Sequence, residues 1–197
     1  MSPFGLHDFF GILAMIAAGG VVLMLAARFI PSVIGVRFLD ALYKVQLPLA
    51  ALVATTASIG SLYFSEYGYE WVPCRFCWFQ RIFMYSLAVV LIVASIRRDR
   101  GVKWYAVSLA GIGLLISAWH NLLERGVVEE SSSCSTTVPC ATPYRVSFGH
   151  YNSDGLPSGF PSITLAVMAF CGFAAILALL LTPESLEDDH DGEPAEG

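Results

Sequence analysis

The chain has 197 residues, a length that suits about one domain, with 56% hydrophobic and 14% charged residues and a mean hydropathy of +0.65. Soluble domains are about half apolar and about a quarter charged, so this composition excludes an ordinary soluble fold, and so apolar a chain is not a disordered one. The net charge of −5 comes largely from an acidic tail between Glu184 and Glu196, and the scattered basic residues leave no electrostatic footprint for nucleic acid. The composition is that of an integral membrane protein.

In chain order, five apolar stretches approach the ~20 residues needed to cross ~30 Å of hydrocarbon. They are 9–27, 47–64, 82–96, 104–123 and 162–181. Each carries little or no charge, and each is predicted to be helical because a spanning segment must satisfy its own backbone hydrogen bonds. The third is short and is expected to take in Trp78, Phe79 and Arg81 at its start. The first lacks the marks of a signal peptide. Met1 to Phe10 contains no Lys or Arg, the stretch is longer than a typical h-region, and no small-x-small cleavage pattern precedes the polar loop. A retained helix is expected.

Basic residues set the expected orientation. Arg28, Arg37 and Lys44 fall in the loop after the first span, and Arg97, Arg98, Arg100 and Lys103 in the loop after the third. Both loops are expected in the cytoplasm, with the N-terminus outside and the C-terminus inside. The segments 65–81 and 124–161 are expected to face outward, with Tyr63, Tyr67, Tyr69, Trp71 and Trp78 in an outer aromatic belt. The tail 186–197 lacks aromatic residues and is expected to be disordered. Gly19-Gly20 and Gly111-Ile112-Gly113 are read as points of close helix approach, with no chemistry assigned.

Four of the five cysteines lie in the two outward segments, as Cys74-Arg75-Phe76-Cys77 and Cys134-Ser-Thr-Thr-Val-Pro-Cys140, and none in a cytoplasmic loop. Disulfides persist outside the cytosol, so two extracytoplasmic pairs beside one membrane face are suggested. Structural bridges are one reading. Against it, rings this short remove little loop entropy, short exposed rings tend to be the labile, oxidising ones, and C-x-x-C is the usual redox-active geometry. A four-cysteine zinc site is another, although a whole helical hairpin separates the pairs and C-x5-C is not a standard knuckle. Haem attachment needs His after the C-x-x-C, where this chain has Trp78.

Pro73 marks Cys74 and Cys77 as the start of a helix, whose free N–H groups and dipole favour a thiolate. Arg81 lies four residues beyond Cys77, on the same face one turn away. It reads either as a cation stabilising the Cys77 thiolate and an anion beside it, or as an interfacial arginine reaching lipid headgroups. A dithiol pair at the top of a membrane helix can exchange electrons with a lipid-soluble carrier, and quinones are the obvious class.

Pro73-Cys74-Arg75-Phe76-Cys77-Trp78-Phe79-Gln80-Arg81-Ile82, leading into a helix, resembles the first redox motif of the DsbB/BdbC-type disulfide-forming quinone reductases. Cys134 to Cys140 resembles the second motif of the short-spaced branch, and Tyr144 and Phe160-Pro-Ser-Ile-Thr164 are similar to it too. The resemblance covers roughly 45–181. It implies an all-α integral membrane protein, a four-helix transmembrane bundle to which the first span is an extra N-terminal helix. It also implies that Cys134–Cys140 takes electrons from an extracytoplasmic thioredoxin-like thiol oxidase (DsbA/BdbD type), with Cys134 the sulfur attacked. Cys140 then exchanges with Cys74, and Cys77 reduces a membrane quinone, ubiquinone or menaquinone, as a thiolate adduct or charge-transfer partner. Arg81 matches the quinone-side arginine. The enzyme expected is a quinone-dependent oxidoreductase in the cell membrane, supporting disulfide bond formation. Three regions follow: 1–44, the first helix and a basic cytoplasmic loop; 45–182, the redox domain; and 183–197, the acidic tail.

Two departures from the family pattern stand out: the additional first helix, and the longer, more polar segment 147–159, which is suited to covering the second pair or contacting the partner. His120, at the outer end of the fourth span, is a donor to quinone or thiolate, or an interfacial histidine bonded to backbone. Gln80 sits beside the quinone or at the lipid interface. His7, His150 and His190 are expected to be solvated, and Cys171 to be an inert small hydrophobe. Two other functions compete. A vitamin K epoxide reductase-like enzyme has its C-x-x-C late in the bundle, opposite to the order here. A membrane scaffold or transporter with structural bridges finds no mid-helix ionisable residue to mark a conduction path.

Overall fold

The computed structural model describes residues 3–30, 32–68, 72–129, 139–148 and 162–183. Five helices dominate: α1 (Pro3–Phe29), α2 (Val33–Tyr63), α3 (Arg75–Arg97), α4 (Lys103–Glu124) and α5 (Leu165–Leu180). A π turn, Phe64–Gly68, prolongs α2, and a 3-10 turn, Arg100–Val102, leads into α4. Two short strands, β1 (Arg145–Val146) and β2 (Ile163–Thr164), pair antiparallel with Arg145 opposite Thr164. They tie the loop after α4 to the start of α5.

Four of the helices are long and apolar enough to cross a membrane, and α5, with 16 residues, is a shorter apolar helix. The all-α membrane architecture follows. Side chains such as Val89, Ile96 and Leu115 point outward and exposed, as they do where the solvent is lipid rather than water. Helix α3 begins at Arg75, so it takes in Trp78, Phe79 and Arg81 as the sequence suggested. Residues 162–164, by contrast, are not helical. Ile163 and Thr164 form β2, and Thr164 caps α5 by accepting the Val167 N–H at 3.3 Å.

The segment holding Arg37 and Lys44 is not a loop. Ser32 caps α2 by accepting the Gly35 N–H at 3.0 Å, and Asp40 pairs with Lys44 one turn on at 3.1 Å. Both basic residues therefore ride on the first turns of α2, and the division at 44/45 falls inside that helix. The two basic clusters do share one end of the molecule, where Arg100 donates to the Tyr43 hydroxyl at 2.9 Å and lies over its ring.

Helices α2, α3, α4 and α5 form a ring in which each packs on the next, and α1 lies across the seam between α5 and α2. The ring's centre is Ala50 and Ala54 of α2, Leu87 and Leu91 of α3, Ala106 and Ala110 of α4, and Phe173 and Ile176 of α5. Gly113 is a genuine point of close approach, since a Cβ there would meet the Phe173 ring. Gly111, Gly19 and Gly20 have open space instead.

His7 is buried rather than solvated. It stacks on Phe64 with ring centroids 5.2 Å apart, under the aromatic end of α2. Cys171 is buried in α5. The tail 186–197, residues 149–159, Cys134, His150 and His190 lie outside the described residues.

Candidate redox site

The site starts from the cap of α3. Cys74 is the N-cap residue, and its sulfur accepts the Cys77 N–H at 3.3 Å. The i, i+3 relation at a helix start folds the second cysteine back over the first, leaving the two Sγ atoms 2.8 Å apart. Two sulfurs on one tetrahedral zinc stand ~3.8 Å apart, given Zn–S of ~2.3 Å. Cys74, Cys77 and His120 bring three donor atoms within 4.8 Å of one another, and the two adjacent sulfurs are also placed to form a disulfide with each other.

His120, buried near the end of α4, faces this pair. Its Nε2 lies 3.7 Å from Cys74 Sγ and 3.2 Å from the Cys140 carbonyl, while Nδ1 lies 3.2 Å from Gln80 Nε2. With the Gln80 amide oriented as donor, Nδ1 accepts and the ring proton sits on Nε2, aimed at Cys140 O and Cys74. Phe76 stacks on the ring at 5.8 Å. One turn further, the buried Glu124 carboxylate lies 3.9 Å from Nε2 and accepts the Thr164 hydroxyl at 2.7 Å. Thr164 thus caps α5 and secures Glu124 at once.

Cys140, 1% exposed, is held against the C-x-x-C, near enough for its charge to act on Cys77. Tyr144 fastens its loop by donating to the Val72 carbonyl at 2.9 Å, just ahead of Cys74. Burial, together with the charges on the two cysteines, pushes the Tyr144 hydroxyl above its ordinary pKa.

On the other side of α3 lies an apolar cavity of about 520 Å³, bounded by α1, α2, α3 and α5. Cys77, Gln80 and Arg81 line it; Cys74 and His120 are not among its lining residues. Arg81 crosses to α2, donating from Nε to Ser61 Oγ and from Nη2 to the Ser61 carbonyl, both at 3.0 Å, with Trp78 against its flank. These partners are neutral, so the cation is fixed in place without being neutralised.

The family model described as "Disulfide bond formation protein DsbB" matches residues 44–182. The chain belongs to the DsbB family. It is similar to the "Probable disulfide formation protein" of Deinococcus radiodurans, 42% identical over 70% of this chain and 88% of the relative. It is also similar to the "Disulfide bond formation protein C" of Bacillus subtilis, 37% identical over 66% and 85%, and to the "Probable disulfide formation protein C 2" of Bacillus anthracis, 34% identical over 70% and 89%. No solved structure matches. As a member of the DsbB family, the chain is a multi-pass membrane oxidoreductase of disulfide bond formation.

The sequence offers His120 as a donor to quinone or thiolate, or as an interfacial histidine bonded to backbone, and its Nε2 lies against both Cys74 and the Cys140 carbonyl. The geometry sets it on the thiol side, away from the cavity, while Gln80 touches both. Glu124 and Ser61 were missed. The i, i+4 spacing of Glu124 from His120 was the available signal for the first; nothing local marks Ser61.

The hydrogen bond with Cys77, and then burial, push the Cys74 thiol up to about 12. A thiol with a raised pKa stays protonated, and unreactive, until the pH approaches that value. In the fully reduced DsbB-family protein, alkylation of Cys74 by iodoacetamide is therefore expected to keep rising beyond pH 10. Replacing the largest cause, by Cys77→Ala, should move the rise down toward the ordinary thiol range. Mass spectrometry of the Cys74 peptide checks this, and a plateau near pH 9 in the unsubstituted protein would contradict it.

Proposed function

We propose that this DsbB-family enzyme is a thiol:quinone oxidoreductase that reoxidises an extracytoplasmic thioredoxin-like dithiol protein of the DsbA/BdbD type. The observation that carries the reading is the way the C-x-x-C is divided: Cys77 lines the apolar cavity, whereas Cys74 faces His120, which also reaches the Cys140 carbonyl. One sulfur is open to a lipid-soluble acceptor and the other to a second thiol pair.

The steps balance as thiolate–disulfide exchanges. A partner thiolate attacks Cys134 of the Cys134–Cys140 disulfide and Cys140 leaves; the partner's second thiol resolves the adduct, leaving the partner oxidised and this pair reduced. Cys140 then attacks Cys74 of the Cys74–Cys77 disulfide, and Cys77 leaves as a thiolate facing the cavity. Cys134 attacks Cys140, and Cys74 departs and takes a proton. Two electrons have moved inward, with one proton on Cys74, and Cys77 is left as the thiolate.

A bound quinone would supply the acceptor for those two electrons, its two protons coming from the Cys74 thiol and from solvent, and the Cys74–Cys77 bond would re-form. The cavity suits such a group. Its walls are mostly apolar, as a prenylated ring requires, and Arg81, Gln80 and Tyr144 line it near Cys77. Arg81 holds a positive charge where negative charge develops, and Gln80 links the cavity to His120.

The basic end of the molecule, with Arg97, Arg98, Arg100 and Lys103, supports a cytoplasmic location for that end and an outward-facing redox site. Right-side-out membrane vesicles containing the enzyme, given an external reduced thioredoxin-like protein, are expected to lose quinone absorbance as the protein is oxidised. Inverted vesicles should be inactive. Oxidation of the protein without quinol formation would refute the acceptor, and activity in inverted vesicles would refute the sidedness.

A further inference from the structure

We infer that α1 forms a wall of the quinone site, and that α1 and α2 frame the portal through which the quinone enters from lipid. This rests on the reading of the cavity as a quinone site. Helix α1 lies outside the matched residues 44–182, so nothing in the family assignment gives it a task.

The lining residues of α1 carry the argument. Phe10, Leu13, Ala14 and Ala17 all line the cavity and follow i, i+3, i+4, i+7 spacing, one stripe of a helix. From 10 to 17 the stripe runs ~10 Å along the axis at ~1.5 Å per residue, leading inward from the level of Cys77. Opposite stand Ala57 of α2 and Ala169 and Gly172 of α5, again small. The space exists because α1 presents alanines there and α5 answers with an alanine and a glycine.

The upper end of α1 is fitted to the redox domain, not loosely laid on it. The Phe10 ring rests on Gly60, where a Cβ would stand 2.8 Å from it, and Gly11 admits the Phe148 ring equally closely. Either contact would be obstructed by a larger residue at the glycine. Phe10 also packs on Phe64 with ring centroids 5.8 Å apart.

Without α1 the cavity would be an open furrow between α2 and α5. With it, a ring is enclosed next to Cys77 and Arg81, while a chain can pass outward. Phe9 and Ile16 of α1 and Leu52 of α2 line the cavity yet are 49%, 63% and 61% exposed, which places them at a lipid-facing rim. A polyprenyl quinone has this shape: a ring with two carbonyl oxygens for the polar end and an apolar tail for the rim.

A photoreactive azidoquinone, added to the full-length enzyme in lipid nanodiscs and irradiated, is expected to label the peptide containing 10–17 as well as α2 or α5. An excess of unlabelled quinone should compete. Ala14→Phe, filling the stripe, should cut that label and raise the apparent quinone KM at least tenfold. Reduction of the enzyme's cysteines by a dithiol protein in the absence of quinone should stay within twofold. Ile12→Trp, on the lipid face, should change neither. Competable label confined to α2, α3 and α5 of the unsubstituted enzyme overturns the wall while leaving the quinone reading intact, and this arm needs no variant to fold. Absence of competable label anywhere in an enzyme whose thiol exchange is normal overturns both.

Discussion

Arg81→Gln is expected to slow quinone reduction by about a hundredfold, while exchange between the partner and the outer cysteine pair is nearly unchanged. Removing one donor aimed at developing negative charge typically costs ~2.7–4 kcal/mol. Arg81 is only partly buried, which favours the lower end of that range. Its position supports the effect: one helical turn from Cys77, lining the same cavity, and fixed by two 3.0 Å hydrogen bonds to neutral atoms of Ser61. Gln keeps polarity but loses the charge, and it cannot reproduce a guanidinium fork that holds both the hydroxyl and the carbonyl. Lys should rescue in part, restoring charge without the fork. Stopped-flow measurement of quinone absorbance in the reduced enzyme separates this step from thiol exchange. Unaltered quinone kinetics in a stably inserted Arg81→Gln protein would reduce the residue to a helix–helix tether.

Why Arg81 was legible in the sequence, and the wall opposite it was not, is a matter of solvent. A capped helix start, Pro73 before Cys74, fixes which face Cys77 and Arg81 share, and local spacing is enough to read that. In α1, every face is apolar because lipid wets one side and protein the other, so no polar stripe marks the direction in which a residue points. Phe10, Leu13, Ala14 and Ala17 look the same in sequence as their lipid-facing neighbours Phe9 and Ile16. Long-range packing was equally hidden. His7 looked solvated because it lies among polar and terminal residues, and only the docking of α1 on Phe64 buries it. Arg37 and Lys44 suggested a loop by their charge, whereas the Ser32 cap and the Asp40–Lys44 pair continue the helix beyond the apolar run. Charge grouped them with Arg97, Arg98, Arg100 and Lys103, and the two clusters do share an end; it did not tell their secondary structure.

His120→Ala is expected to slow electron transfer between the two cysteine pairs by roughly a hundredfold, within the range typical of general acid–base catalysis. The demand arises at Cys74. In the last exchange this sulfur is the leaving group, and a thiol pushed up to about 12 leaves poorly as a bare thiolate. A proton donor at the moment of departure removes that penalty. His120 Nε2 lies 3.7 Å from the sulfur and 3.2 Å from the Cys140 carbonyl, so the ring faces both residues that separate. Gln80 fixes the tautomer from the far nitrogen, and Glu124, held by Thr164, supplies a negative charge for the ring as it cycles. His120→Gln distinguishes a proton carrier from a spacer, because an amide can still donate to the Cys140 carbonyl but cannot pass a proton on. Both variants should be slow in single turnover, when enzyme oxidised at both pairs is mixed with the reduced partner and the Cys74 and Cys77 thiols are trapped by acid quench. Glu124→Gln should show a smaller defect at the same step. Quinone reduction by the pre-reduced enzyme should also slow in the two His120 variants, since the Cys74 thiol must give up its proton beside the same ring when the Cys74–Cys77 bond re-forms. A His120→Gln enzyme that exchanges at the unsubstituted rate would leave the ring as a packing element between α4 and the cap of α3.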